Sequence, residues 1–198
     1  MKRKTILVCG GSYGLGFYIA NKFVNQGQRV IIISRKKKNL NKAKSQINSN
    51  KADYYICDCS IEKKVINLMK KLKKKYKSID IVISNAGDSN MAKTGNENHS
   101  VWLRAFSHNF FLHTNIVEAY KKYFKSNKIK KIILISSIAA YFKGNAPLSY
   151  SLAKQTLNKY CENISFYLSN YKININTVSP GHILQKNNLW DKKMKKNK

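Results

Sequence analysis

Six short apolar runs punctuate the chain, at residues 5–9, 29–34, 53–57, 79–84, 131–136 and 172–178. They are rich in Ile and Val and nearly continuous in apolar character, the pattern of strands covered on both faces. Longer segments with helical character lie between them, at 14–26, 40–48, 61–76, about 97–124 and 149–170. Strict alternation of strand and helix predicts right-handed crossovers and a parallel sheet with helices on both sides. No repeat at a fixed period and no break in composition divides the chain. One domain is therefore expected over residues 1–184, with 185–198 as a short basic tail.

The first strand runs directly into Cys9-Gly10-Gly11-Ser12-Tyr13-Gly14-Leu15-Gly16, and a helix follows. Glycines at 10, 14 and 16 let the backbone turn sharply and approach a pyrophosphate, while the helix N-terminus offers free N–H groups to the anion. Strand before and helix after supply the context that a glycine cluster alone lacks, so Gly10, Ser12, Tyr13, Gly14, Leu15 and Gly16 are candidate nucleotide-binding residues. At the end of the second strand an acidic side chain would bind both ribose hydroxyls and repel a 2′-phosphate. Here Ser34 stands there, followed by Arg35 and three lysines. Arg35 can pair with a 2′-phosphate through a charge-assisted fork, which favours NADP(H) over NAD(H).

The Gly-x-x-x-Gly-x-Gly spacing resembles the short-chain dehydrogenase/reductase family, whose motifs can be followed in order to about residue 185. The resemblance implies an α/β, Rossmann-like doubly wound parallel sheet of about six strands in the order 3-2-1-4-5-6. Asp58, after the third strand, matches the family's adenine-contacting aspartate. Ser84-Asn85-Ala86-Gly87 resembles the family's Asn-Asn-Ala-Gly, with Ser84 in place of the first Asn and Asn85, Ala86 and Gly87 as cofactor contacts. Pro180-Gly181 resembles the loop beside the nicotinamide, and His182 next to it is a candidate to face substrate. The chain departs from the family at Cys9, where Thr is usual, and at Gln185, where a Thr often stands. It also lacks the length for a further strand-helix-strand unit after Pro180, so the sixth strand is expected at an open sheet edge.

Tyr150-Ser151-Leu152-Ala153-Lys154 matches the family's Tyr-x-x-x-Lys. A chain with this many Tyr and Lys contains about two such matches by chance, and the other is Tyr18/Lys22. Context selects Tyr150, which follows Ser137 by 13 residues and opens a long helix after the fifth strand. Positions i and i+4 share a helix face, so Lys154 can hold its ammonium near the phenol and lower its pKa. Tyr150 would then exchange a proton with the substrate oxygen. The resemblance further implies that Lys154 binds the nicotinamide ribose and that Ser137 hydrogen-bonds the substrate; the spacing prefers Ser137 to Ser136. Asn109 matches the helix asparagine that holds a water relaying protons to the lysine.

Charge changes this picture little. The net charge is +29, but Arg3, Arg29, Arg35 and Arg104 are the sole arginines, and the other basic residues are lysines. Dedicated nucleic-acid surfaces recruit arginine forks, so no specific nucleic-acid partner is expected. A lysine-rich codon bias and a functional field for anionic ligands both remain open as sources of the charge. Cys9, Cys57, Cys59 and Cys161, and the four histidines, lack metal-ligand spacing, and the cysteines read as buried hydrophobes. No apolar run approaches the ~20 residues of a membrane span, and a cytoplasmic location is expected. The reading is an oxidoreductase that interconverts a small-molecule carbonyl and an alcohol, homodimeric by resemblance. A nucleotide-binding regulator or truncated relative without turnover, and a polyanion binder, are the alternatives.

Overall fold

The computed structural model describes residues 3–47, 49–142 and 144–183. Strands β1 (Thr5–Cys9), β2 (Arg29–Ser34), β3 (Ala52–Ile56), β4 (Ile81–Ser84), β5 (Lys130–Ile135) and β6 (Ile173–Val178) form one parallel sheet in the order β3-β2-β1-β4-β5-β6. Helices α1 (Gly14–Asn25), α2 (Lys37–Ile47), α3 (Glu62–Lys75), α4 (His99–Phe106), α5 (Leu112–Tyr123) and α6 (Leu148–Ser169) supply the crossovers. The expected basic tail at 185–198, with Gln185, lies outside the described residues. Among the described residues no helix is long and apolar enough to cross a membrane.

Successive side chains on a strand point to opposite faces, so each central strand feeds two cores. Ile6 and Val8 of β1 join Val30 and Ile32 of β2 against α1 and α2 through Ala20, Val24 and Leu40. Leu7 and Cys9 join Ile31 and Ile33 on the other face, against Met69 and Leu72 of α3, Ile116 and Tyr120 of α5, and Leu157 of α6. All four cysteines are free and buried, packed as small hydrophobes. The register aligns Cys9 with Ile33 and with Ser84, so β1, β2 and β4 end level. Strand order reverses between β1 and β4, and the carboxyl ends of the strands open a crevice at that switch point.

Two expectations, one about strands and one about a helix, are corrected. β3 and β6 are not covered on both faces: β3 has no fully buried residue, and β6 buries Ile173 and Ile175 while exposing Asn174 and Asn176. Both are edge strands, each paired on one side, β3 with β2 and β6 with β5. The helix expected over 97–124 is also not continuous. A π-helical turn, Ser107–Phe111, separates α4 from α5, and the wider turn leaves backbone groups out of the regular ladder. Asn109, fully buried, sits in that turn.

Candidate active site

The crevice begins as a cleft of about 320 Å³ lined by Gly10, Ser12, Tyr13, Gly14 and Leu15 from the first loop, Ser34 and Arg35 after β2, Asp58 after β3, and Asn85, Ala86 and Gly87 after β4. Gly10 and Gly14 adopt φ of +73° and +62°, a region that side chains rarely tolerate. Gly16 lies beneath the cleft wall. A Cβ there would collide with the Gly10 carbonyl oxygen and come within 2.5 Å of Asn85 Nδ2. Asn85 Nδ2 also donates to the Gly10 carbonyl at 3.3 Å, tying the two loops together. Gly16→Ala is therefore expected to cost about 2 kcal/mol through overpacking, read as a fall of several degrees in the melting temperature.

Asp58 accepts from the Ser60 amide and hydroxyl at 3.1 and 2.6 Å. Burial pushes its carboxyl up, but those hydrogen bonds and the charges of Arg35 and His108 outweigh burial and leave it below its ordinary value. Arg35 is exposed and makes no ion pair among the described residues. A cationic fork therefore stands at one end of the cleft. His108, absent from the sequence expectations as a cleft residue, lines the same space; burial first, then Arg35, lowers its pKa.

Asp88 lines this cleft, and the next residue, Ser89, lines a second hollow of about 510 Å³ together with Ser137, Tyr150, Gly181 and His182. Ser137 caps the short 3₁₀ turn Ile138–Ala140 and accepts from Ala139 N at 3.2 Å, which leaves its hydroxyl proton to donate. Ser136 points the other way, its Oγ on the Lys154 carbonyl at 3.3 Å, so the hollow belongs to Ser137. Pro180 lines neither space; its carbonyl accepts from Ile138 N at 3.0 Å and fixes the Gly181-His182 turn against the Ser137 loop. Tyr18, of the other Tyr-x-x-x-Lys match, is exposed on α1.

Tyr150 departs from expectation in its acidity. Burial raises its pKa, a hydrogen bond with Ser137 lowers it in part, and the net shift is upward. Burial is the cause, and Lys154 does not offset it. Its Nζ donates to the Ile135 carbonyl at 2.8 Å and meets His113 Nε2 at 3.4 Å. With only 3% exposure and no ion pair among the described residues, the amine is pushed down by burial to about 7. Asn109 is anchored through its side chain. Nδ2 donates to the carbonyls of Asp88 and Ala105 at 2.8 and 3.0 Å, and Oδ1 accepts from Asp88 N at 3.0 Å. It clamps the loop after Gly87, and both its Oδ1 and Lys154 Nζ lie within 3.6 Å of where a Gly87 Cβ would stand.

The short chain dehydrogenase family profile matches residues 4–196. An oxidoreductase of Staphylococcus epidermidis is 23% identical over 183 residues, 92% of this chain and 79% of the relative. Short-chain dehydrogenase reductase 3b of Arabidopsis thaliana is 27% identical over 182 residues, 89% of this chain and 70% of the relative. Two solved structures share the fold. An active-site complex of Pseudomonas aeruginosa RhlG with NADP has a TM-score of 0.83 at 23% identity, covering 92% of this chain and 74% of that one. NAD+-bound xylitol dehydrogenase has a TM-score of 0.88 at 21% identity, covering 96% and 74%.

Proposed function

The chain belongs to the short-chain dehydrogenase family, and from that premise we propose that it is an NADP(H)-dependent oxidoreductase that interconverts a carbonyl and a secondary alcohol at Ser137 and Tyr150. One observation carries this reading: the glycine-walled cleft and the hollow that holds Ser137 and Tyr150 are lined by consecutive residues of one loop, Asp88 in the first and Ser89 in the second. A dinucleotide lying in the first space would present its reactive end to the second. The residues fit such a ligand, since the backbone at Gly10 and Gly14 leaves the approach open and α1 begins there. Gly10, Ser12, Tyr13, Gly14 and Leu15 would hold the pyrophosphate, Asp58 the adenine end, and Asn85, Ala86, Gly87 and Lys154 the nicotinamide side. Pro180 and Gly181 would border the ring through the turn they fix.

When bound, the reduced cofactor supplies a hydride to the carbonyl carbon. Tyr150 gives its phenolic proton to the substrate oxygen; burial works against this by raising its pKa, and the hydrogen bond with Ser137 opposes burial. The Ser137 hydroxyl donates to the same oxygen as negative charge develops on it. Tyrosinate is left behind, and the Lys154 ammonium compensates it. In the oxidative direction the same groups run in reverse, with tyrosinate as the base. His182 would contact the remainder of the substrate.

We assign the 2′-phosphate preference to Arg35, which has no competing ion pair among the described residues and follows Ser34 rather than an acidic side chain. Arg35→Asp is expected to weaken NADPH binding at least about tenfold, equivalent to roughly 1.4 kcal/mol, with NADH binding equal or tighter, by fluorescence titration of both cofactors. Unchanged discrimination would remove Arg35 from the site. A cytoplasmic homodimer fits this reading, with the exposed Leu103 of α4 and Phe166 of α6 on the helices that would pair.

A further inference from the structure

Two buried polar side chains beside Lys154 have no part in the chemistry above. His113, in the first turn of α5, and Ser84, at the end of β4, are both 0% exposed. Ser84 Oγ lies 2.7 Å from His113 Nδ1, and His113 Nε2 faces Lys154 Nζ at 3.4 Å. A chain of polar contacts thus runs from β4 through α5 to α6 and closes on the Ile135 carbonyl at the end of β5. An ammonium group has three donors and no acceptor. The nitrogen facing a protonated Lys154 is therefore the bare one, which places the imidazole proton on Nδ1, donating to Ser84 Oγ. Lys154 makes no ion pair among the described residues, so Ile135 and His113 are what it leans on.

We propose that His113, oriented by Ser84, is a positioning residue that docks the Lys154 amine under Gly87 at the floor of the cleft. The proposal rests on the reading of Lys154 as the partner of Tyr150. A neutral acceptor suits that task. A carboxylate at this point would form a tight ion pair and absorb the charge that Tyr150 needs. An apolar side chain would leave a buried ammonium with one acceptor. Ser84 on β4 and Lys154 on α6 face the imidazole, and no carboxylate acts on it among the described residues. Burial, and secondarily the Lys154 charge, keeps His113 well below the ordinary imidazole range, so it stays neutral and able to accept.

The test needs no substrate. In full-length protein labelled with ¹⁵N-histidine and ¹³Cε-lysine, His113 should be neutral and protonated on Nδ1 at pH 6, where Lys154 is charged, and the Lys154 signal, identified by its loss in Lys154→Met, should titrate near neutrality. His113→Leu should lower the Lys154 pKa by about one unit, and His113→Gln, which restores an acceptor at the Nε2 position, should return it most of the way. Ser84→Ala should shift it in the same direction as His113→Leu, by less. A proton on Nε2 at pH 6 in the unmodified protein would overturn the proposal even if every variant failed to fold. So would an unchanged Lys154 titration in folded His113→Leu. Where turnover is measured, the alkaline limb of kcat should move with the Lys154 pKa in the same variants. A catalytically silent protein that shows these shifts would sink the oxidoreductase reading and leave the docking role standing.

Discussion

Tyr150→Phe is expected to lose roughly a thousandfold in kcat, the range that a positioned proton donor contributes, while binding NADPH as the unmodified protein does. The basis is geometric. Tyr150 shares its hollow with Ser137, whose Oγ accepts from the Ala139 amide, and the two side chains are within hydrogen-bonding reach of each other. Removing the phenolic oxygen deletes the group there that gives up a proton and holds the resulting charge with a cation nearby. The ring still fills its place on α6, so the fold and the cleft between β1 and β4 are preserved. Initial rates of NADPH oxidation with a ketone, aldehyde, 3-oxoacyl thioester and keto-sugar panel, beside a fluorescence titration of NADPH, separate the two quantities. Retained turnover in the variant would move proton transfer to another residue.

Lys154→Met is expected to lose a comparable share of turnover and, at neutral pH, to raise the stability of the protein. The folded pKa of Lys154, about 7, lies below its ordinary value of 10.5. Between those values the unfolded chain binds the proton that the folded chain refuses, so stability rises with pH across that window. The penalty builds as pH falls from 10.5 towards 7 and is complete below it. Methionine removes the penalty but leaves the Ile135 carbonyl and His113 Nε2 without their donor, which costs about 1–3 kcal/mol. The net gain at pH 6 should be roughly 2 kcal/mol, or about 4–8 °C for a chain of this size. Near pH 10 the sign should reverse, because the neutral amine is cheap to bury and the lost hydrogen bonds are not. Thermal melts of both proteins from pH 6 to 10 read this directly; a difference independent of pH would mean that Lys154 is not buried as an ionisable amine.

Much of the fold and part of the site are legible in the residue pattern alone. The β-branched runs locate six strands, and the glycines at 10, 14 and 16 locate the turn where the sheet opens. Ser137 and Tyr150 can be paired because one ends a strand and the other starts the next helix, and such ends meet at the same edge of the sheet. What stays hidden depends on side chains that meet across elements. His113 falls on the apolar face of α5, among Leu112, Ile116 and Tyr120, where a histidine reads as a core residue. Only the packing of α5 between β4 and α6 brings it to Lys154. The replacement of Asn by Ser84 in the Ala-Gly motif is the one written hint of an altered neighbour. The direction of the Lys154 amine is likewise beyond helix periodicity, which gives a shared face but not which acceptor a long flexible side chain finds. The open face of β6 is visible, since Ile173-Asn174-Ile175-Asn176 alternates, but a general expectation of buried parallel strands overrides it. The π turn at Ser107–Phe111 has no sequence signature of its own.

The central claim is that hydride and proton meet one substrate carbonyl in the hollow beside Tyr150. Incubating the protein with NADPH deuterated at the nicotinamide C4 position and the same carbonyl panel, and analysing the alcohols by mass spectrometry, tests it most directly. The expected result is one carbon-bound deuterium per product alcohol with the unmodified protein, and its near disappearance with Tyr150→Phe. Tight binding of NADPH with no deuterium transferred to any carbonyl, or transfer that proceeds equally well without the phenol, would contradict it.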